Sequence, residues 1–399
     1  MPSLVTLEPE QLALRQMVTE LAAQRYAPHA RAWDAAGTPL PASERTKLAD
    51  LGLLGITHPG EYGGSDRPLI DALIALEELA KASPAAAWPV FEACTGPARV
   101  IQLFGRPEQQ RALLPPVIRG EKTIAVAISE PDAGSEATDM KTSGRAHRDR
   151  IVVNGVKRWC SGAGHAEQYL VYLRLSEARG SAGIGAVVID RDTQGLSFGP
   201  REQLMGFRGV PSADMNFDDV EVPVDRLIVP AGGFPALFSA FSIERLGNAT
   251  MSLAIGQTAL DRSARYVRER RQFGRPIMDF QLVQNGIAEM VMRVEAARLL
   301  VYSAAIEAGH GAPSALSASI AKCTANEMAK VVTDHAIQLH GGYGYSAEFE
   351  IERLRRDADG WALAGGTQNI QRLRIASEYL GVRFPQRVAE TSARADHAS

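Results

Sequence analysis

The sequence predicts a mainly α-helical chain with a central β domain, and three observations carry that prediction. Apolar residues recur at helical spacing before residue 120. The texture then breaks into short runs punctuated by Gly, Pro, Asp and Asn. After Pro230 helical spacing returns and holds. The 399 residues suit two or three domains. We expect an N-terminal helical domain over 1–120, a middle β domain over 121–231, a C-terminal helical bundle over 232–382, and a polar tail, 383–399, that reads as disordered.

In the first domain, Leu14, Met17, Val18 and Leu21 fall at i, i+3, i+4 and i+7, and Pro28 is expected to end that helix. Leu69, Leu73, Leu76 and Ala80 form a second apolar stripe. Gly105-Arg106-Pro107 separates two more helical segments, with Pro107 placed at a helix start. In the middle domain, Thr123 to Ile128 reads as a buried strand. Ile184 to Asp190 is another, a hairpin precedes Gly155, and Asp214 to Val222 alternates around Met215, Phe217 and Val220. Short strands at such intervals suggest a small antiparallel barrel or sandwich. Gly232-Gly233 reads as a linker. Helices follow over about Pro235 to Arg270 and Gln281 to Ala308, after Pro313, and after Gly366. Four helices with short connections argue for an antiparallel four-helix bundle.

Composition excludes several classes of function. The net charge is −3 and no basic run is long, so nucleic acid is not an expected partner. Three scattered cysteines, Cys94, Cys160 and Cys323, argue against a disulfide framework or a metal cluster. Cys160 reads as packing, and His340 has no second metal ligand nearby. Met1 to Glu10 has no apolar core of a secretory signal, and no stretch approaches about 18 apolar residues. A cytoplasmic chain with no membrane span is expected.

The strand Thr123 to Ile128 runs into the loop Ser129-Glu130-Pro131-Asp132-Ala133-Gly134-Ser135, where Pro131 and Gly134 prevent regular structure. Free backbone N–H groups and two hydroxyls at a strand end suit a flat, hydrogen-bonding ligand such as a flavin, and the indole of Trp159 is a plausible wall for its ring system. Four further stretches follow in order: Trp159-Cys160-Ser161, Arg270-Arg271-Gln272-Phe273-Gly274, His340-Gly341-Gly342-Tyr343-Gly344-Tyr345, and Gly366-Thr367-Gln368-Asn369-Ile370-Gln371. In this order and spacing the chain resembles the acyl-CoA dehydrogenases over residues 5 to 382.

The resemblance implies the helical, β, helical-bundle architecture and an FAD-dependent reaction on an acyl thioester carried by CoA or an acyl carrier protein. A carboxylate removes the α-proton, the flavin N5 takes the β-hydride, and electrons leave to an electron-transferring flavoprotein or to oxygen. It also implies a homo-oligomer, dimer or tetramer, with FAD between subunits. Cofactor contacts would come from Val126, Ile128, Ser129, Trp159, Ser161, Arg270, Phe273, Gln281, Gln338, Gly341, Gly342, Thr367 and Asn369. Of these, Arg270, Phe273, Gln338, Gly341 and Gly342 match residues that meet a partner's cofactor. Substrate contacts would come from Ser135, Arg245 and Gly366, with no metal.

The chain departs from the family pattern at one place. Most members carry their base, a Glu, just before the last Gly-Thr, where this chain has Gly365. A minority place it in a Glu-Arg pair on the long helix, and Glu244-Arg245 matches that pair. Glu244 is therefore the expected base, with the N–H of Gly365 kept as a donor to the thioester carbonyl. On the residues alone, Glu244 is a solvated helix charge paired with Arg245 or a neighbour, and Arg245 an exposed, solvated arginine. Trp88, Phe91 and Cys94 are analogous to residues lining the acyl pocket. Two other readings stay open: a flavoenzyme of this fold with different chemistry, a desulfinase or flavin hydroxylase, and a non-catalytic scaffold that kept the fold.

Overall fold

The computed structural model describes residues 5–382 and residue 384. The predicted tail, apart from Phe384, lies outside the described residues. The first helical region comprises α1 (Pro9–Leu21), α2 (Ala27–Ala36), α3 (Ala42–Asp50), α4 (Leu69–Ala82), α5 (Pro84–Val90), α6 (Pro97–Phe104) and α7 (Pro107–Ile118). Proline occupies the first turn of α1, α2, α5, α6 and α7, where a missing N–H costs nothing. This corrects the expectation for Pro28. It opens α2 instead of ending a helix, because a π turn, Ala22–Tyr26, carries the chain from α1 into α2 without a break. A second π turn, Phe91–Thr95, joins α5 towards α6. Helix α4 is buried from Leu69 to Ala80, including Asp71, Glu77 and Glu78, and is the spine of this region.

The middle region is one sheet of β1 (Ile124–Ala127), β2 (Ser143–His147), β3 (Arg150–Ser161), β4 (Gln168–Arg174), β5 (Ile184–Asp190), β6 (Leu196–Phe198), β7 (Ser212–Pro223) and β8 (Leu227–Val229), in the order β6-β7-β3-β2-β4-β5-β8. The expected all-antiparallel arrangement is corrected here, because β1 and β2 both pair with β4 in parallel. The long excursion through the β2–β3 hairpin returns the chain to β4 in the direction of β1, as a parallel pairing requires. Period two sorts β4 cleanly. Leu170 and Tyr172 join the helical core, while Tyr169, Val171 and Leu173 join the core on the sheet's other face.

The last region holds α8 (Phe234–Glu269), a small hairpin of β9 (Arg271–Gln272) and β10 (Arg275–Pro276), α9 (Gln281–Ala308), α10 (Ala315–His340), the single turn α11 (Gly342–Tyr345), α12 (Ile351–Leu363) and α13 (Gln368–Leu380). Helix α10 packs against α8, α9, α12 and α13. It meets them through small buried residues such as Ala318, Ala321, Ala325 and Ala329. Helix α12 was not expected. Its signal is present in Ile351, Leu354, Ala358 and Trp361, all buried, but the charges of Glu352 to Asp357 obscure it. Among the described residues no helix is long and apolar enough to cross a membrane, and no cluster of His, Cys, Asp and Glu could hold a metal. All three cysteines are free and buried.

Candidate active site

The loop after β1 is fixed from within. The Glu130 carboxylate accepts from Lys141 N at 2.6 Å, Thr142 N at 2.9 Å and Lys157 Nζ at 2.8 Å, and Lys157 also donates to Ile128 O at 2.8 Å. Burial lowers the Lys157 ammonium to about 8 against the opposing charge of Glu130. Arg158 N donates to Ser129 O at 2.8 Å and Cys160 Sγ to Val126 O at 3.2 Å, which lays the loop along β3. The register of β3 against β7 breaks between Lys157 and Cys160, and within that bulge Trp159 adopts φ +60°. Bulges re-aim side chains, and a left-handed conformation at a bulky residue costs on the order of 1–3 kcal/mol. The indole is thereby turned outward, 52% exposed, with the Arg158 guanidinium 4.3 Å from its ring centre. Val126, Ile128, Ser129 and Ser161 are half-buried nearby and Ser135 is exposed.

Glu244 lies on α8, half-buried, with no ion pair within 4 Å among the described residues. It is therefore not the paired, solvated charge that its sequence neighbours suggest. Burial pushes its carboxyl up to about 8 despite the pull of Arg245. Its charge is felt by Tyr172 of β4 and by Glu92 of the second π turn, both raised chiefly by burial. Glu92 in turn adjoins the sheet end, since a Cβ at Gly162 would meet its Oε1 at 3.4 Å. The sheet end, the π turn and α8 thus converge. Sequence reasoning missed Glu92 and Tyr172; a carboxylate inside the apolar run around Trp88 and Phe91 was the signal for the first.

Arg245 is also not exposed. It is 2% accessible, stacked 4.5 Å from the Phe238 ring and 5.0 Å from that of Phe241, with Nε and Nη1 unpartnered among the described residues. Burial and the nearby Arg374 lower it to about 9.

One turn along α8, Asn248 donates to Ala364 O at 3.2 Å, which seats the Ala364-Gly365-Gly366 turn beside Glu244. Gly365 and Gly366 adopt φ +68° and +90°, which side-chain-bearing residues avoid. The other two carbonyls are also held. Gln371 Nε2 donates to Gly365 O at 3.3 Å and Lys322 Nζ to Gly366 O at 3.0 Å. A trans peptide directs its N–H opposite to its C=O. The amides of Gly365 and Gly366 therefore point away from these donors, and neither has an acceptor among the described residues.

Aromatic rings wall the same face of α8. Trp88 stacks on Phe91 at 4.9 Å, Phe91 meets Trp361 at 5.6 Å, and Phe207 meets Trp361 edge-on at 4.6 Å. Cys94 does not join them, because its thiol faces Leu53 O and Leu54 O at 3.5 and 3.6 Å. Phe91 reaches α8 at Gly247, where a Cβ would lie 2.9 Å from Phe91 Cε2 and 2.4 Å from Thr95 Oγ1. Gly247→Ala is accordingly expected to cost about 1–3 kcal/mol of stability and displace Phe91, as a thermal melt would register.

At the start of α13, Thr367 is the N-cap, its Oγ1 accepting from Ile370 N at 3.4 Å, and Asn369 stands in the first turn. Gln368 Nε2 is buried there without a partner among the described residues. An unpartnered donor at a helix N-terminus, and an indole presented by a strained bulge beside half-buried Ile128 and Ser129, fit a dinucleotide with a flat ring system.

The remaining predicted cofactor residues lie elsewhere. Arg270 caps the far end of α8, 26 residues and about 39 Å of helix beyond Glu244. Phe273 sits at the β9–β10 tip with φ +53° and 91% exposure. Gln281 opens α9 close by, Gln338 and Gly341 close α10 and Gly342 opens α11, with the Arg270 guanidinium 5.5 Å from the Tyr343 ring. One chain does not bring this group to the Glu244 side.

Family models described as the acyl-CoA dehydrogenase N-terminal, middle and C-terminal domains match residues 8–121, 125–220 and 231–380. A 3-sulfinopropanoyl-CoA desulfinase of Paraburkholderia xenovorans is 37% identical over 94% of this chain and 97% of its own length. Butyryl-CoA dehydrogenase from Megasphaera elsdenii superposes with a TM-score of 0.91 at 30% identity, covering 94% of this chain and 99% of that one. The prolyl acyl carrier protein oxidase AnaB superposes at 0.88 with 26% identity, covering 94% and 100%.

Proposed function

This chain belongs to the acyl-CoA dehydrogenase family of FAD-dependent flavoproteins, and from that premise we propose that it oxidises the Cα–Cβ bond of an acyl thioester with Glu244 as the base. One observation carries the reading. A carboxyl raised to about 8, with no ion-pair partner among the described residues, stands one helical turn from Asn248, which holds the Ala364 carbonyl of the turn that presents the Gly365 and Gly366 amides. A base must take the α-proton, and donors must meet the charge that then forms on the thioester oxygen. Glu244 supplies the first, and the Gly365–Gly366 turn the second. FAD, when bound, supplies the two-electron acceptor for the β-hydride. Trp159, Ser129, Val126, Ile128 and Ser161 would hold its ring end, and Thr367 and Asn369 its diphosphate side. Arg270, Phe273, Gln281, Gln338, Gly341 and Gly342 would serve the cofactor of a second copy, so the working unit is a dimer or tetramer. Ser135, Arg245 and Gly366 would contact the thioester and its carrier, CoA or acyl carrier protein. An electron-transferring flavoprotein is the proposed acceptor.

A second reading has its own support in Gly365 and in the desulfinase relative: cleavage of a C–S bond with release of sulfite. Anaerobic mixing with straight, branched and 3-sulfino acyl-CoAs separates the two. Dehydrogenation bleaches the oxidised flavin band in a reaction that Glu244→Gln abolishes. Sulfite release without bleaching, unaffected by Glu244→Gln, would establish the desulfinase instead. Colourless protein that takes up no FAD would leave only the scaffold reading.

A further inference from the structure

Lys322 is fully buried on α10, yet no carboxylate lies within ion-pair distance of it among the described residues. Its ammonium donates only to neutral groups, Asn326 Oδ1 and Gly366 O, each at 3.0 Å. The charged group facing it from α8 is a second buried cation, Arg245, and its own helix adds only the Cys323 thiol. From the loop before α13 it meets carbonyl oxygen alone. A buried ammonium without a counter-charge costs several kcal/mol. Burial accordingly lowers Lys322 to about 8, and a negative charge arriving nearby in the working state would favour its charged form.

The surrounding hydrogen bonds show where a counter-charge would belong. Asn326 Nδ2 donates to Asn248 Oδ1 at 3.0 Å and to Ser252 Oγ at 2.6 Å, and Asn248 donates on to Trp361 O and Ala364 O at 3.1 and 3.2 Å. Ser319 Oγ donates to Gln371 Oε1 at 2.9 Å, which directs the Gln371 amide at the turn. All three consecutive carbonyls, Ala364, Gly365 and Gly366, are therefore pulled inward, and the amides of the same peptide units are presented outward. Hydrogen bonds arranged in series polarise one another. The outward amides form an electropositive surface backed by a buried cation, with no side chain at position 365 to cover it.

We propose that Lys322 is a positioning residue for the thioester oxygen: it fixes the Gly365–Gly366 turn and supplies, from beneath, the positive charge that offsets the enolate formed when the α-proton passes to Glu244. The proposal rests on the dehydrogenation reading. In this step the Cα–H bond breaks, its electron pair becomes the Cα=C bond of the enolate, and the carbonyl π pair moves to oxygen. The proton binds the Glu244 carboxylate. Net charge is conserved. Glu244 goes from −1 to neutral and the thioester from neutral to −1, so negative charge migrates from α8 towards the turn that Lys322 supports.

The test uses purified FAD-containing protein with 3-thiabutanoyl-CoA and 3-thiaoctanoyl-CoA, whose α-protons are acidified and whose β-position carries no hydrogen to transfer. Exchange of the α-hydrogen with deuterium oxide is followed by mass spectrometry, and affinity by calorimetry. Lys322→Met is expected to slow exchange about 10- to 100-fold, less than loss of a direct oxyanion donor, with Kd changed by less than about threefold. Its exchange rate also loses the decline at high pH that follows deprotonation of Lys322. Lys322→Arg restores most of the rate. Asn326→Asp places a carboxylate beside the ammonium without removing it, so it slows exchange even if Lys322→Met does not fold.

Unchanged exchange in both Lys322→Met and Asn326→Asp, with only the melting temperature lowered, would overturn the proposal and leave Lys322 a structural tether. If the unsubstituted protein fails to exchange the α-hydrogen at all, or Glu244→Gln exchanges it as fast, the dehydrogenation reading itself falls and takes the proposal with it.

Discussion

Glu244→Gln is expected to slow flavin reduction by an acyl thioester about 10²–10⁴-fold while leaving thioester affinity within a few-fold, because the amide keeps the size of the carboxylate but cannot accept a proton. Stopped-flow absorbance and calorimetry measure the two quantities. The pH dependence of the unsubstituted protein has a definite sign. As the proposed base Glu244 would act ionised, and burial raises its carboxyl to about 8, so kcat/KM is expected to rise roughly tenfold per pH unit below that value and to decline above it as Lys322, lowered by burial to about 8, loses its charge. A profile flat from about pH 6 to about pH 9 would remove Glu244 from the reaction.

The same substitution should stabilise the fold. In the unfolded chain the carboxyl releases its proton near 4.5, whereas the folded chain holds it to about 8, so the folded state binds more protons between these values. Stability must then fall as pH rises through that window, and the full penalty is present above it. Glutamine carries no such penalty. The variant should melt at a higher temperature than the parent above about pH 8, with the difference shrinking towards about pH 5.

Arg298→Met is expected to cost about 3–5 kcal/mol of stability, the range for breaking a buried ion pair from one side. Glu77 on α4 is wholly buried and meets the Arg298 guanidinium of α9, the Tyr302 hydroxyl at 2.8 Å and Lys81 Nζ at 3.2 Å. Arg298 also donates to Gln257 Oε1 of α8 at 2.6 Å. Burial alone would raise the Glu77 carboxyl, but the charges of Lys81 and Arg298 outweigh it and hold the group at about 2. The pair therefore contributes fully above the ordinary carboxylate range and is lost only as pH falls towards 2. Without Arg298, a buried carboxylate that ties the first helical region to the last keeps only Lys81 and the Tyr302 hydroxyl. Urea unfolding near neutral pH reads the loss; a variant within about 1 kcal/mol of the parent would show the pair to be replaceable.

Much of this molecule was legible in the sequence, and the legible parts share a cause. Ile184–Asp190 and Gln281–Ala308 emerge with their expected ends, because period two and period 3.6 are written in neighbouring residues. Pro28 and α12 were misread for local reasons, a π turn that delivers a proline to a helix start and a charged run that hides a stripe. The candidate site was read less from periodicity than from the order of five short stretches. That order led to Glu244 and to the missing carboxylate at Gly365. It could not show that Arg245 is buried, that Glu92 shares the electrostatics of Glu244, or that Lys322 is anything but a solvated lysine.

By itself the sequence determined the succession of helices, strands and helices, and the residue types offered to a thioester. Only the tertiary structure decided which of those charges lose water, which carbonyls are clamped, and which of the expected cofactor residues lie a helix length apart. Helix and strand periodicity is a conversation between residues a few positions apart. The state of a buried charge depends on partners such as Asn248 and Ala364, 116 residues distant, or Lys322 and Gly366, 44 distant, which only the fold brings together.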